Sequence, residues 1–296
     1  MAWQNLSLLT QEAYVAAMSD FLETSEAVAI TWQAADEQAL FEPDPDTTPL
    51  WSLVEVNALF PEHFQLEELI QQLRQRFTEK VILNCQIKPI ADQPWERLWL
   101  NDFQPMCFGQ RLWVCPHGFA VPDPKGTIVW LDPGLAFGTG THPSTALCLE
   151  WLDAQMQIGQ TVLDYGCGSG ILSLAAIQCG ASQVWAVDHD PQALESTQAN
   201  AIQNQIRREQ ILVFSPEQFH PPEKVDVLIA NILAEPLTQL AERFAQYVKK
   251  GGRCVLAGIL REQVTRIQDH YAQAGFRLVD VAYKEEWARL HLQQET

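Results

Sequence analysis

The alternation of hydrophobic and polar positions is clearest between residues 160 and 190. A short apolar run at 162–163 precedes a glycine-rich turn, and a helical pattern follows from 171 to about 179. A second apolar run lies at 184–187. Strand, glycine-rich turn, helix and strand in this order predict the first half of a doubly wound α/β sheet.

The rest of the second half of the chain continues this alternation. Further strands are predicted at 112–115, 127–131, 211–214, 225–230 and 253–259, and helices at 143–152, 191–204, 236–248 and 262–274. Thr141 is the expected N-cap of the first of these helices, and the glycines at 251–252 are expected to end the third. Segments 276–283 and 287–292 predict a terminal hairpin, which adds one antiparallel strand to the sheet.

The first 90 residues have a different order of elements. Strands are predicted at 3–9, 27–34, 50–59 and 81–87, and helices at 11–24, with Thr10 as N-cap, and at 65–77. The order β-α-β-β-α-β predicts a small ferredoxin-like α+β domain. The expected organisation is therefore an N-terminal substrate-recognition domain (1–92), a linker (93–109) and a catalytic domain (110–296).

Composition limits the possible partners and the compartment. The chain has 296 residues and a net charge of −18, which favours a basic partner over nucleic acid, although solubility alone explains the charge equally well. The seven cysteines contain no CxxC pair, so neither a metal site nor a disulfide framework is indicated, and a cytoplasmic location is expected. No apolar stretch reaches the length of a membrane span.

The central turn indicates the kind of ligand. Gly166, Gly168 and Gly170 have GxGxG spacing, which differs from the GxGxxG of dinucleotide sites and is also compatible with a purely structural turn. Asp164 would repel a pyrophosphate but suits an ammonium, and no Lys or Arg lies between residues 125 and 207. These features favour S-adenosylmethionine. Asp188 is placed to accept hydrogen bonds from both ribose hydroxyls, unless it is only a solvated acid at a strand end.

A second glycine-rich segment precedes the helix at 143. Gly134, Gly138 and Gly140 surround Phe137, and this composition favours a lid over the cofactor rather than a purely structural loop. His142 could act as a base, but a histidine that lies in the capping region of the helix without a chemical role is the better interpretation. Trp95, Trp99 and Phe103 of the linker are expected to pack against one domain, with substrate contact as the alternative.

Several segments resemble one protein family. They are LDPGLAFGTGTHPST (131–145), VLDYGCGSGIL (162–172), AVDHDPQAL (186–194) and ANILAEPL (230–237), with FEPDPDTTPLW (41–51), WERLWLNDFQPMCFGQRLWVCP (95–116) and EEWARL (285–290) fitting the same pattern. The chain resembles the bacterial ribosomal protein L-eleven methyltransferase family over essentially its whole length. The GxGxG turn alone would indicate only a superfamily, whereas the first and fourth segments together are much more specific.

The resemblance implies a fold, a reaction and a set of site residues. The fold is a seven-stranded class I methyltransferase sheet of Rossmann-like type. The reaction is trimethylation by S-adenosylmethionine of lysine ε-amines and the N-terminal α-amine of a basic ribosomal protein of the large subunit. The expected cofactor contacts are Thr145, Gly166, Asp188 and Asn231, with Thr139, Thr141, Asp164, Gly168 and Gly170 as further candidates.

Asn231 and Phe137 are the candidate catalytic residues. In amino-group methyltransferases a related Asn or Asp begins an NPPY-type motif, and Asn231 ends the fourth strand in the same way. The aromatic residue of that motif is missing after Asn231, and Phe137 is expected to replace it. Two alternatives remain open: an N-methyltransferase acting on another basic protein or a small amine, and a binding scaffold without catalysis.

Overall fold

The computed structural model describes residues 3–35, 49–77, 81–90, 104–132, 140–221 and 223–296. The chain divides into two compact units, Met1–Glu96 and Arg97–Thr296. Most of the predicted linker, 93–109, lies outside the described residues, as do almost all of the predicted loop at 41–49 and the linker residues Trp95, Trp99 and Phe103. No helix within the described ranges is long and apolar enough to cross a membrane.

The first unit is a four-stranded antiparallel sheet with two helices. Its elements are β1 (Trp3–Gln11), α1 (Glu12–Thr24), β2 (Ala29–Ala34), β3 (Leu53–Pro61), α2 (Leu66–Arg76) and β4 (Asn84–Ile90). The strand order is β2-β3-β1-β4, with antiparallel pairing throughout. This is the topology expected of a ferredoxin-like β-α-β-β-α-β domain.

Alternation along the central strands builds the core of the first unit. On β3 every second residue is fully buried, and on β1 the alternating residues Leu6, Leu8 and Thr10 are fully buried, as period-two patterning predicts for one covered face. The inward side chains pack with apolar residues of both helices; the cluster includes Leu6, Leu8, Val54, Val56, Met18, Leu22, Leu69 and Leu73. Thr10 is not the N-cap of α1, because the cap is Gln11 and the Thr10 hydroxyl donates to the Val81 carbonyl (2.8 Å).

The second unit contains a seven-stranded sheet. Its elements are β5 (Met106–Phe108), β6 (Leu112–Cys115), β7 (Thr127–Trp130), α3 (Pro143–Gln155), β8 (Thr161–Tyr165), α4 (Ile171–Gln178), β9 (Gln183–Val187), α5 (Pro191–Gln203), β10 (Ile211–Phe214), β11 (Val225–Asn231), α6 (Ala234–Tyr247), β12 (Val248–Leu260), a 3₁₀ turn (Arg261–Gln263), α7 (Val264–Gln273), β13 (Phe276–Lys284) and β14 (Trp287–Gln294). The large sheet has the order β10-β9-β8-β11-β12-β14-β13. Only β14 runs antiparallel to its neighbours, which confirms the predicted architecture.

Both faces of this sheet are covered, so its central strands are apolar over most of their length. Adjacent residues such as Val162 and Leu163 on β8, or Leu228 and Ile229 on β11, belong to two different core clusters. One cluster includes residues of α3, α4 and α5, and the other includes residues of α6 and α7. Continuous apolar runs of this kind are typical of parallel strands buried on both faces.

Two sequence expectations fail in the second unit. Residues 106–108, expected in the linker, form β5, which pairs with β6 in a separate three-stranded sheet. The glycines at 251–252 do not end a helix, because α6 already ends at Tyr247 and β12 begins at Val248, which pairs with Val225.

Two side chains from the helices that cover the large sheet form hydrogen bonds with the backbone of the small sheet and its β5–β6 turn. Asn204, buried at the end of α5, donates from its amide nitrogen to the Trp130 carbonyl (2.7 Å) and accepts from the Trp130 N–H at its amide oxygen (2.8 Å). Asp153 of α3 accepts from the backbone N–H of Gln110 (2.7 Å). The Asn204 amide thus replaces a strand neighbour for β7.

We predict that Asn204→Ala lowers the free energy of unfolding by about 1–3 kcal/mol, because two partly buried backbone groups of Trp130 lose their partner. Gln203→Ala, one position earlier on an exposed site, is the matched control. Urea unfolding of both variants measures the difference, and equal stabilities would contradict this role for Asn204.

Candidate functional site

The candidate site lies where three adjacent parallel strands end. Strands β9, β8 and β11 are neighbours in the sheet, with Asp164 paired to Ala186 on one side and to Ile229 on the other. Asp188 follows β9, the glycine-rich turn follows β8, and Asn231 is the last residue of β11. The structure therefore brings these predicted residues to one edge of the sheet, the usual position of ligands in doubly wound folds.

Hydrogen bonds to the end of β9 and to α5 hold the turn after β8 in place. The backbone N–H groups of Gly166 and Cys167 both donate to the Val187 carbonyl (2.7 and 3.1 Å). Gly166, Gly168 and Gly170 have φ values of +83°, +54° and +81°, a region that favours glycine. The sequence interpretation did not anticipate the contribution of α5, whose residues Thr197 and Asn200 donate to the carbonyls of Gly168 (3.1 Å) and Ser169 (2.8 Å).

Asp188 has a structural contact in addition to its predicted ligand role. One of its carboxylate oxygens accepts from the Gly168 N–H (2.9 Å) and the other from the Asp190 N–H (3.0 Å). A carboxylate offers about four acceptor positions, so each oxygen retains capacity for a hydroxyl donor. The predicted contact with both ribose hydroxyls is compatible with this geometry, and Asp188 also supports the turn that contains Gly168.

Asp164 is fully buried and only partly satisfied. Its Oδ2 accepts from the Ser173 hydroxyl of α4 (2.6 Å), whereas its Oδ1 has no hydrogen-bond partner among the described residues. Burial raises the pKa of this carboxyl to about 7; the Ser173 hydrogen bond acts in the opposite direction. An unpaired buried carboxylate oxygen is costly. A cationic or hydrogen-bond-donating ligand group would satisfy it, which fits the ammonium of S-adenosylmethionine.

Thr145 and Asn231 are in direct contact. The amide nitrogen of Asn231 donates to the hydroxyl oxygen of Thr145 (3.0 Å), and Thr145 is fully buried in the first turn of α3. With the nitrogen engaged in this way, the amide oxygen of Asn231 remains an acceptor, and no hydrogen bond between described residues uses it.

The start of α3 differs from the sequence expectation in its capping residue. The N-cap is His142 rather than Thr141: its Nδ1 accepts from the Ser144 N–H (3.3 Å) and lies 2.7 Å from the Ser144 hydroxyl. The His142 ring contacts Trp287 edge to face at 4.6 Å, and burial lowers its pKa. The capping role of His142 was not predicted, and the prediction of Thr141 as the N-cap is wrong. Thr141 is exposed and precedes this cap.

Some predicted site residues cannot be placed. Phe137 and Thr139, together with most of the predicted lid, lie outside the described residues.

Other residues that shape the site were not predicted. Ser173, Thr197 and Asn200 make the hydrogen bonds given above, and Ile232 packs closely against Gly166 and Gly258. A glycine inside a strand pattern is a known sign of a bulge or a close backbone approach, so Gly258 carried a usable signal. Among the described residues, no group of His, Cys, Asp or Glu could hold a metal ion.

We predict that Asp164→Asn stabilises the protein in the absence of cofactor at pH 8. The folded protein retains the Asp164 proton up to about pH 7, whereas an unfolded chain releases it near pH 4, so stability falls as pH rises through this window. Replacing the acid should add roughly 2 kcal/mol or more at pH 8 and little at pH 4.

Urea unfolding at both pH values would measure this difference, with the exposed Asp190→Asn as control. A stability gain of equal size at pH 4 and pH 8 would show that ionisation of Asp164 is not its source. Calorimetry should show that Asp164→Asn also weakens binding of S-adenosylmethionine.

Comparisons with known proteins agree with this geometry. The sequence profile of the family described as ribosomal protein L11 methyltransferase (PrmA) matches residues 2–295. A protein of Methylococcus capsulatus named ribosomal protein L11 methyltransferase is 47% identical over 288 residues, which cover 97% of this chain and 98% of that protein. A protein of the same name from Pseudomonas syringae pv. tomato is 44% identical over 290 residues, covering 98% of each.

A solved structure extends the comparison to the fold. The crystal structure of a ribosomal protein L11 methylase from Lactobacillus delbrueckii subsp. bulgaricus superimposes with a TM-score of 0.60 and 28% identity, covering 66% of this chain and all of that one. The profile match covers almost every residue, and the relatives align end to end. The resemblance seen in the sequence is therefore confirmed, and the chain belongs to the ribosomal protein L11 methyltransferase family.

Proposed function

We propose that this protein transfers methyl groups from S-adenosylmethionine to lysine ε-amines and to the N-terminal α-amine of ribosomal protein L11, up to trimethylation. Family membership supports the reaction and the substrate protein. The observation that carries the choice of an amine acceptor is Asn231, an amide at the end of β11 whose nitrogen is engaged by Thr145 and whose oxygen is left to accept.

The cofactor is assigned to the edge of the sheet formed by β9, β8 and β11. Asp164 would bind its ammonium through the unpaired Oδ1, and Asp188 its ribose hydroxyls. The glycine turn lets the backbone approach closely, and Thr139, Thr141 and Thr145 are proposed as further contacts. When bound, S-adenosylmethionine supplies a methyl group on a sulfonium, which is already activated for displacement.

The protein would contribute mainly orientation of the amine. The acceptor must be neutral, although a free lysine amine has a pKa of about 10.4 and an α-amine one of about 7.7–8.0. The Asn231 oxygen can accept a hydrogen bond from the amine but cannot carry a proton away. The proton would therefore go to water. Phe137 is proposed as an apolar wall of the amine pocket, in place of the missing aromatic residue after Asn231.

The first unit is proposed to recognise the substrate protein. Its first 73 residues contain 13 Asp or Glu and no Lys or Arg. The ion pairs found between described residues all lie in the second unit, so this negative charge is not offset by such pairs in the described part of the first. A surface of this charge favours a basic protein and repels nucleic acid. Seven free thiols support a reducing, cytoplasmic location.

The proposed reaction can be tested directly. The protein is incubated with methyl-labelled S-adenosylmethionine and purified ribosomal protein L11, and mass spectrometry identifies each modified amine and its number of methyl groups. Label on lysines and on the N-terminus, up to three methyls each, is the expected result. Label on another amino acid or on RNA, or no transfer at all, would refute the proposal.

We predict that Asn231→Ala lowers kcat by about 100-fold, since small misplacements of reacting groups have costs of this size. The rate should still rise with pH with the same profile, because no general base has been removed. Thr145→Val, which removes only the hydroxyl bonded to Asn231, should give a smaller loss. Single-turnover transfer at saturating cofactor measures both variants, and an unchanged rate in Asn231→Ala would exclude this residue from amine orientation.

We also predict that a shortened chain starting at residue 104 still binds S-adenosylmethionine, because it retains β5 and the complete seven-stranded sheet. Without the first unit it should lose most methylation of intact ribosomal protein L11. Calorimetry and the labelling assay, run on both lengths, test the two statements separately. Full activity of the short chain would contradict substrate recognition by the first unit.

A further inference from the structure

The backbone that follows Asn231 passes between Gly166, in the turn after β8, and Gly258 of β12. On one side, a Cβ at Gly166 would lie 2.3 Å from the Cγ2 of Ile232. On the other side, a Cβ at Gly258 would lie 2.4 Å from the Ile232 carbonyl oxygen and 3.1 Å from the Ile232 nitrogen. Carbon atoms make favourable contacts only at about 3.5–4.0 Å, so a side chain at either position would displace Ile232.

Gly258 lies at an irregularity of β12. Its φ is +77°, and the pairing of β12 with β14 shifts register between Leu256 and Ile259. The preceding residue, Ala257, is the strand partner of Asn231. Bulges of this kind are frequent next to active sites, where they change the direction of a strand or a side chain.

The same region determines where Asn231 can lie. Strand β11 pairs with β8 only as far as Ile229, and beyond that point its strand pairing is with β12, up to Asn231 and Ala257. The side chain of Asn231 is held by Thr145, and its backbone continues directly into Ile232. Since Ile232 fits between Gly166 and Gly258, Asn231 cannot shift along β12 unless this contact opens.

We infer that Gly258 is a positioning residue for methyl transfer, which holds the Asn231 amide oxygen at the acceptor amine through the backbone of Ile232. The inference rests on the proposed role of Asn231. Gly258 acts by lacking a side chain, and its effect on the reaction passes through Ile232 and then Asn231.

The chain offers a matched control for backbone strain. Gly251 is also part of β12 and has a φ of +73°, but a Cβ at this position would meet no atom within 4 Å. Alanine at either glycine therefore adopts a similarly unfavourable φ, and only alanine at Gly258 displaces Ile232. A difference in kcat between the two variants therefore reflects the contact with Ile232 rather than backbone strain at the glycine.

The test compares Gly258→Ala, Gly251→Ala and Asn231→Ala with the double variant Gly258→Ala/Asn231→Ala in the full-length protein. The measurements are kcat and KM for ribosomal protein L11, S-adenosylmethionine affinity by calorimetry, and thermal unfolding. We expect Gly258→Ala to lower kcat at least tenfold more than Gly251→Ala, with KM and cofactor affinity within about threefold of wild type. Because Gly258 acts through Asn231, its substitution should cost little in the Asn231→Ala background.

The possible results distinguish a failure of this inference from a failure of the proposed function. Equal kcat values for the two glycine variants, or additive losses in the double variant, would overturn the inference while leaving the function intact. A wild-type protein that does not methylate ribosomal protein L11 would refute the function itself. If Gly258→Ala does not fold, Ile232→Gly takes its place in the cycle, since it frees the backbone of residue 232 that passes Gly258; additivity with Asn231→Ala would again overturn the inference.

Discussion

The site depends on the parallel alignment of β9, β8 and β11. Parallel strands end at the same edge, so residues far apart in sequence, Asp164, Asp188 and Asn231, come together without long loops. The Val187 carbonyl receives the N–H groups of Gly166 and Cys167, which ties the end of one strand to the turn of the next. Any change of register would move a carboxylate or the amide away from this edge.

The burial of Asp164 illustrates how a binding site differs from a core. A residue at this position chosen only for stability would be apolar, because the carboxylate is fully buried and has one hydroxyl partner among the described residues. The fold retains the acid and accepts a less stable unliganded state. Stability and function commonly conflict in this way at sites prepared for a charged ligand.

The sequence predicted most of the fold because its strongest signals are local. The apolar runs and glycines of 160–190 correctly located β8, α4 and β9, and the order of elements in both units was confirmed. The predictions of element bounds and caps were wrong where contacts between distant parts of the chain determine the local structure. Val248 belongs to β12 because it pairs with Val225, and the Thr10 hydroxyl bonds to Val81 instead of capping α1. Strand β5, with three residues, is too short to give a periodic pattern.

The residues of the candidate site also fall into those that the sequence could predict and those that it could not. Asp164, Asp188 and Asn231 follow apolar runs and could be found from their positions at strand ends. Ser173 could not, since nothing local distinguishes a serine bonded to a buried acid from one facing solvent. The roles of Thr197 and Asn200 depend equally on how closely α5 packs against the glycine turn.

The close passage of Ile232 between two glycines has an evolutionary consequence. At position 166 the obstacle is Cγ2, an atom present only in a β-branched residue, so a change at position 232 can relieve that steric conflict. At position 258 the obstacle is backbone, which every residue carries. A substitution at 232 can thus remove the steric conflict at position 166, where the positive φ remains the constraint, whereas no substitution at 232 removes the conflict at position 258.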